Sequence, residues 1–292
     1  VRQRQHARRG VDQRFLGRLS SDGFGQQIRE RLSSNGVNLD YSINAKEQTS
    51  LAVATIGEGG SASYSFYVDG TADWGWTESE LPSAIELASL NTKAVQFGCL
   101  AMAIAPGGLV LEKWLGDLYA TNQMTLSHDL NIRSALGFER ASELARVLRT
   151  NAQSHIIKAS DADIEWLYDL NEGAALDDIA LEWSQGGKLV VITRGGDGAT
   201  LYLNGLKLHA KAPKINLVDT VGAGDTFMAN LLAELDLVGA LGDNPISRLA
   251  NLDAAALQIA AEVAAVAAGI VCERKGCEPP TLLETTARVA DQ

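Results

Sequence analysis

From about residue 84 onward the sequence alternates short β-branched runs with longer stretches of helical period, and this alternation constrains the fold more than any other feature. Ala94–Gly98, Met124–Leu126, Ser154–Ile157 and Lys188–Thr193 are brief and bounded by glycine or polar residues, as strands buried on both faces are. Ser134–Thr150, Asp161–Leu170 and Ala174–Gln185 lie between them with helical spacing. In the first, Leu136, Ala141, Leu144, Ala145 and Leu148 share one face. Strand and helix in repeated alternation predict an α/β fold around a mostly parallel sheet.

One segment departs from that rhythm. Thr49–Ile56 and Ser61–Val68 are strand-like runs joined by Gly57-Glu58-Gly59-Gly60, and the second places Tyr64, Phe66 and Val68 on one face. A hairpin ahead of the α/β body fits a flap over a cleft and fits an ordinary edge hairpin equally well.

Charge is distributed unevenly. Residues 1–18 carry six arginines and one aspartate, a net +5, and the remainder stands at −16, for a total of −11. An acidic body lacks the electrostatic footprint of nucleic-acid binding. Cys99, Cys272 and Cys277 are too few for a disulfide framework and have no zinc-ligand spacing, which fits a reducing cytoplasm. The longest apolar stretch, Leu252 to Val271, is interrupted by Asp253, Gln258 and Glu262, so it reads as a buried alanine-rich helix and not a membrane span. The first fourteen residues hold only Val1 and Val11 as large aliphatics, so no signal-peptide core is expected in them. The histidines His6, His128, His155 and His209 have no metal partner in sequence and are expected to be structural or surface residues.

The strongest local signal is Asn216-Leu-Val-Asp219-Thr-Val-Gly222-Ala-Gly224-Asp225-Thr-Phe. A strand end leads through small residues into a helix carrying Phe227, Leu231, Leu232 and Leu235. The amides of Gly222, Ala223 and Gly224 at that helix start form an anion site, and the missing side chains let a phosphate come close. A carboxylate would repel the phosphate, so Asp225 makes sense as the base for a hydroxyl that attacks it while the amides hold the developing charge. It also fits as a residue that merely complements the helix dipole. Other phosphate motifs fail. Gly186-Gly187-Lys188-Leu189 lacks the hydroxyl of a P-loop, and neither Gly195-Gly196-Asp197-Gly198 nor Gly222-Ala223-Gly224 makes a dinucleotide fingerprint.

Asp219-Thr-Val-Gly-Ala-Gly-Asp225-Thr-Phe resembles the carboxy-terminal signature of the PfkB, or ribokinase-like, carbohydrate kinases. His128-Asp129-Leu130-Asn131-Ile132-Arg133 is similar to that family's Asp-x-Asn-x-Arg segment. Lys158-Ala-Ser160-Asp-Ala-Asp163 stands in the place of its Asn-x-x-Glu-type segment, with Ser160 where the family often has Asn. Thr193-Arg-Gly195-Gly196-Asp-Gly198 resembles the nucleotide-side loop, and Cys272-Glu-Arg-Lys-Gly276 the chain's return past the nucleotide. Phe66-Tyr67-Val-Asp-Gly-Thr71-Ala72-Asp73 resembles the lid exit of the bacterial fructokinase branch. The resemblance runs from about residue 16 to 287.

It implies a ribokinase-like three-layer α/β/α fold with a small β lid at about 49–69. It implies transfer of the γ-phosphoryl group of ATP to a sugar hydroxyl, with fructose as the expected acceptor. Ribose, 2-keto-3-deoxygluconate or a nucleoside are alternatives within the class, and a non-catalytic ligand-binding relic is the alternative outside it. By the resemblance Asp225 is the base, and the amides of Gly222, Ala223 and Gly224 form the anion hole. Lys158 and Arg133 contact phosphates, and Thr193, Gly195, Gly198 and Gly276 surround the nucleotide. Asp163 holds Mg2+ through water, and Asp219 with the Val221 carbonyl takes a monovalent cation, K+ being the candidate. Lids in this family pair, so a homodimer through the lid is expected, with sugar and ATP as ligands and neither nucleic acid nor membrane as a partner. On the residues alone, Asp129 and Arg133 read equally as a local ion pair and Lys158 as a solvated cation. Trp74 and Trp76 read as sugar-packing or as core residues.

The front departs from the family. Its members begin with a core strand bearing an acidic sugar-binding residue, then a Gly-Gly-x-x-x-Asn segment, and neither stands here. Val1 to Arg14 has no amphipathic period and no apolar run. Residues 1–15 are therefore expected to be an atypical basic segment foreign to the fold, with the kinase domain at 16–292, its first core strand missing and the activity of the chain as given in question. A tail cannot replace a central strand. Codons for Val1-Arg2-Gln3-Arg4 read one nucleotide later can spell Ser-Ala-Asn-Val, which motivates the hypothesis of a truncated and shifted frame before about Phe15. Resequencing the DNA upstream of Val1 tests it: a stop codon with no strand-like reading in any frame overturns it.

Overall fold

A computed structural model describes residues 4, 5, 7, 9–56, 62–171 and 176–290. β1 (Gly17–Ser20) and β2 (Ser42–Ala45) pair in parallel as a sheet of their own. β3 (Leu51–Ile56) and β4 (Ala62–Tyr67) form the expected hairpin, antiparallel with Leu51 opposite Tyr67. Its connection, Gly57 to Gly60, and Ser61 lie outside the described residues.

The central sheet comprises β5 (Ala94–Gly98), β6 (Thr125–Asp129), β7 (Ile156–Ser160), β8 (Leu189–Thr193), β9 (Ala199–Leu203) and β10 (Leu206–Ala210). Its order is β10-β9-β8-β7-β6-β5, with β5 to β8 parallel and β9 and β10 antiparallel at one edge. Side chains alternate between its faces. Leu189 and Val191 pack with the helices Ala223–Leu237 and Ala254–Cys272. Val190 and Ile192 pack on the opposite side with Asp161–Tyr168 and Leu176–Trp183. The result is three layers, α/β/α.

The Leu252–Val271 stretch forms the helix Ala254–Cys272, whose small residues Ala260, Ala261, Ala264 and Ala267 are buried and let it lie close against Ala223–Leu237. Among the described residues this is the one helix long and apolar enough to cross a membrane, and 61% of that window is buried inside the protein.

Boundaries shift where polar residues are inside. β6 continues through Ser127, His128 and Asp129, and β7 begins and ends two to three residues beyond Ser154–Ile157, because its Lys158 and Ser160 have partners within the fold. The helix expected from Ser134 starts at Arg140. Gly137 takes φ +73°, ending a short 3-10 turn over Ser134–Leu136, and Glu139 caps the new start by accepting from the N–H groups of Ala141 and Ser142.

Some residues of the basic segment reach the body. Arg4, Gln5 and Ala7 are helical, and Gln5 is fully buried. Arg4 donates to the Cys277 carbonyl at 3.1 Å and to Glu278 at 2.6 Å. Arg9 donates to Asn230 at 2.7 Å and pairs with Glu234.

Two features of the sheet carry charge or its absence in the interior. Lys158 on β7 donates to Asp129 at the end of β6 at 2.9 Å, with side chains only 6% and 3% exposed. Asp129 therefore pairs with a buried Lys158, and Lys158 is not solvated. His128 stacks on Phe97 and bonds Asn151 through Nδ1, and His155 stacks on Tyr119 while its Nδ1 accepts the Leu126 N–H. Burial holds both imidazoles neutral, drawing each from 6.5 down to about 4.

Removing one partner of the ion pair strands a buried charge, whereas removing both does not. Asp129→Asn should cost about 3–5 kcal/mol in urea unfolding, and Asp129→Leu combined with Lys158→Met should cost less than Asp129→Leu alone. Additive losses would refute a coupled buried pair.

The histidines set a second expectation. Between 6.5 and about 4 the unfolded chain binds protons that the folded chain refuses, so stability falls as pH falls through that window. Asp163, whose buried carboxyl is pushed up, works in the opposite sense at the lower end. Stability should drop by roughly 3 kcal/mol from pH 7 to pH 5, and less in a His128→Gln, His155→Gln variant. A flat melting profile over that range would contradict this.

Candidate active site

The four parallel strands point their carboxyl ends the same way, and the groups with chemistry collect there. β5 ends at Gly98, which has φ +146°, and a Cβ in its place would sit 1.8 Å from the Asp129 carbonyl oxygen. Only glycine allows β5 that approach to β6. Cys99 follows at φ 56°, donating its N–H to the same carbonyl at 3.1 Å. Burial pushes the Cys99 thiol up, the Arg133 charge draws it down, and Asp129 and Asp225 add to the rise. These three charged groups therefore lie around the end of β5.

Beyond β6 the turn through Asn131, itself at φ 42°, is pinned by Asp163. One Asp163 oxygen accepts the Ile132 N–H at 2.7 Å, and the other accepts the Ser160 N–H at 2.8 Å. The Ser160 hydroxyl accepts the Asp163 N–H at 3.1 Å, which completes a capping box for the helix Asp161–Tyr168. Burial pushes this carboxyl up, and the Ser160 N–H and the Lys158 charge draw it back down. The Ser160 that replaces the family's frequent Asn is thus the cap that sets Asp163.

The helix Ala223–Leu237 brings its amino end to the same place. Gly222 caps it in the left-handed region, φ +86°, with no side chain over the first turn. Amides of that turn stand at the positive end of a 15-residue helix. A Cβ on Gly224 would lie 3.2 Å from the Lys158 ammonium, so the lysine reaches the helix start. Asp225 is half-buried in that same turn.

Asp219 braces the turn from behind. Its two oxygens accept the N–H groups of Val221 and Gly276, each at 3.0 Å, and these bonds hold the carboxyl below the usual carboxylate range. The N–H groups of Val218 and Asp219 donate to the Cys272 carbonyl at 2.9 and 3.1 Å. The return through 272–276 is thereby fastened to the helix start.

The Thr193–Gly198 loop borders the site at the end of β8, where Thr193 donates its hydroxyl to the Ala159 carbonyl at 3.4 Å. Gly195 takes φ +48°, and a Cβ on Gly198 would meet the Ala210 carbonyl oxygen at 2.1 Å. Trp76 packs in the core, 6% exposed. Among the described residues no group of three or more His, Cys, Asp or Glu side chains could hold a metal by itself.

Sequence reasoning weighed Cys99 only for disulfide and zinc chemistry, and missed the direct bond from Lys158 to Asp129. The signal for Cys99 was the glycine that ends an apolar run at the same end of the sheet as Asp129.

A model of the pfkB family carbohydrate kinases matches residues 4–284. A fructokinase of Rhizobium leguminosarum bv. trifolii is 34% identical over 257 residues, covering 86% of this chain and 73% of that protein. A probable fructokinase-3 of Arabidopsis thaliana is 28% identical over 284 residues, covering 95% and 77%. In fold, the chain superposes on a fructokinase of Xylella fastidiosa with bound ATP at a TM-score of 0.86 and 21% identity, covering 100% of this chain and 89% of that one. It superposes on a fructokinase of Vibrio cholerae with fructose, ADP and calcium at 0.80 and 21%, covering 98% and 88%. With one family's pattern extending over nearly its whole length and its signature turn at the head of the Ala223–Leu237 helix, the chain belongs to the pfkB family of carbohydrate kinases.

Proposed function

We propose that the chain is a cytoplasmic ATP-dependent sugar kinase of the fructokinase type. The observation that carries this is the 34% identity to a fructokinase over 86% of the chain, together with Asp225 standing in the amide-lined first turn beside Lys158. In the proposed reaction the sugar hydroxyl oxygen bonds to the γ-phosphorus, the bond from that phosphorus to the ADP oxygen breaks, and Asp225 accepts the hydroxyl proton. The amides of Gly222 and Gly224 hold the charge on the transferring group, while the Ala223 N–H, expected to join them, donates to the Thr220 carbonyl at 3.2 Å. Lys158 and Arg133 neutralise the phosphates, and Thr193, Gly195, Gly198 and Gly276 line the nucleotide.

The donor set fits a loosely held magnesium ion. Mg2+ keeps several waters and takes one or two carboxylates plus substrate phosphates, so no cage of acidic residues is needed. Each Asp163 oxygen spends one lone pair on a backbone N–H and keeps another for a metal-bound water. When bound, the ion screens the phosphate charge. Asp219 and the Val221 carbonyl are the proposed monovalent-cation ligands, K+ foremost, and each Asp219 oxygen likewise retains a lone pair. The hairpin is the proposed lid and the surface through which two copies pair, and Val53 and Tyr67 are exposed on it.

A second reading has one observation in its favour. Among the described residues the central sheet ends at β5, with β1 and β2 paired apart from it, so no described strand pairs with β5 on the side away from β6. On that reading the chain binds nucleotide without turnover.

A coupled ADP-release assay across fructose, ribose, 2-keto-3-deoxygluconate and adenosine should give the highest kcat/KM with fructose. ATP binding with no turnover of any acceptor would favour the second reading. Asp225→Asn should lower kcat by about 10³-fold while the nucleotide Kd moves only a few-fold. A variant that kept its kcat would remove Asp225 from the base role.

A further inference from the structure

We propose that Asp177 and Arg194 are positioning residues for the nucleotide. The Asp177 carboxylate, at the head of the helix Leu176–Trp183, holds the Thr193–Gly198 loop in shape through the Arg194 guanidinium, from the face of the sheet opposite the anion turn. The inference rests on the proposed nucleotide role of that loop. Arg194 is the residue on which the loop closes. Its N–H donates to the Gly198 carbonyl at 2.7 Å, its carbonyl accepts the Asp197 N–H at 2.9 Å, and the Gly198 N–H donates to the Gly195 carbonyl at 3.2 Å. Gly195 and Gly198 both take positive φ, so little besides these bonds restrains the backbone between β8 and β9. A change in the direction of Arg194 therefore carries the amides of 195–198 with it.

The Arg194 side chain does not go where a phosphate-binding arginine would. Its Nε donates to the Thr200 hydroxyl at 3.4 Å, and one terminal nitrogen donates to Asp177 at 3.1 Å and to the Tyr202 hydroxyl at 3.3 Å. Tyr202 is fully buried and packs with Val190, Ile192, Leu176 and Ile179. That face of the sheet is the one turned away from the helix Ala223–Leu237, whose first turn is the proposed phosphate site. Arg194 thus acts on a bound nucleotide through the backbone of its own loop and not by contact.

Asp177 is the fixed end of this contact. One of its oxygens accepts from Arg194 and from the Tyr202 hydroxyl, and the other accepts from Lys207. It stands in the first turn of a helix whose Leu176, Ile179, Ala180 and Trp183 are buried against β8 and β9. The Lys207 and Tyr202 bonds hold its carboxyl below the usual carboxylate range, so it is ionised at neutral pH. One carboxylate therefore joins β9, β10 and the loop after β8 to a packed helix. Lys207 shares that carboxylate from β10, half-exposed and outside the loop, which makes it the control. The pair borders a cavity of about 630 Å³, lined also by Asp178 and His209, so water reaches it and moderates its strength.

The test measures ATP affinity by calorimetry for the unsubstituted chain, Asp177→Asn, Arg194→Met, their double variant and Lys207→Met. Asp177→Asn and Arg194→Met should each raise the ATP Kd about fivefold, and the double variant should bind no more weakly than the worse of the two. Lys207→Met should stay within about twofold. Hydrogen exchange at Asp197 and Gly198 should quicken in the first two variants and stay unchanged at 156–160. In turnover with fructose, KM for ATP should rise while KM for fructose holds, a split that general loss of structure would not give. Should Asp177→Asn fail to fold, Arg194→Met against Lys207→Met carries the same comparison. Additive losses in the double variant, or a Lys207→Met loss equal to that of Arg194→Met, overturn the proposal. So do variants that bind ATP as tightly as the unsubstituted chain, the result that marks failure of the clamp alone. An unsubstituted chain that binds no ATP overturns the nucleotide reading and this inference together.

Discussion

The buried ion pair between Asp129 and Lys158 is the interaction on which the site depends. Both residues sit at the carboxyl ends of neighbouring parallel strands, where Asp129 pairs in register with Lys158 across the ladder. Desolvating two charges is expensive, and a hydrophobic pair of equal volume would often serve stability as well or better. What the pair provides is position. It aims an ammonium group between strands at the start of the Ala223–Leu237 helix, close enough that a Cβ on residue 224 would sit 3.2 Å from it. A cation held there without freedom to reorganise has greater electrostatic effect on a bound phosphate than a surface lysine could.

The surrounding carboxylates divide between bracing and chemistry according to what their oxygens already accept. Asp163 ties the turn after β6 to the turn after β7, so the loops bearing Arg133 and Ser160 cannot move independently. Asp219 does the same for the helix start and the 272–276 return. Both are fixed by backbone N–H groups at two oxygens. Asp225 stands in the first turn of the Ala223–Leu237 helix, the position that the proposed base role requires. On the proposed reading one helix end serves two tasks, and the small residues 222–224 leave room there for a phosphate beside a carboxylate.

The layer order and the anion turn were legible because each rests on local pattern: period-two apolar runs, helical spacing, and glycine ahead of a helix. Strand ends were not. β6 and β7 continue through Ser127, His128, Asp129 and Lys158, which hydropathy treats as stops; Asn151 meets the His128 Nδ1, and Asp129 and Lys158 meet each other in the interior. The helix expected from Ser134 was lost to Gly137, whose positive φ the spacing of apolar residues does not reveal. Arg4, Gln5 and Arg9 looked like a solvated basic run because their partners, Asn230, Glu234 and Glu278, lie more than two hundred residues away in sequence.

Those same three residues bear on how far the site can be complete. A buried arginine needs a carboxylate, and Arg9 finds one on the very helix whose first turn carries Asp225. The amino-terminal segment is therefore coupled to the Ala223–Leu237 helix at Asn230 and Glu234, while β5 stays only partly covered. On the proposed reading the phosphate side rests on β6, every residue of which is buried, on β7 and on the helix start. Acceptor-side geometry depends on the end of β5, where Gly98 and Cys99 are anchored to Asp129 on one side only. On the proposed reading, the nucleotide half of the reaction would draw on the most buried part of the sheet and the acceptor half on its partly covered edge.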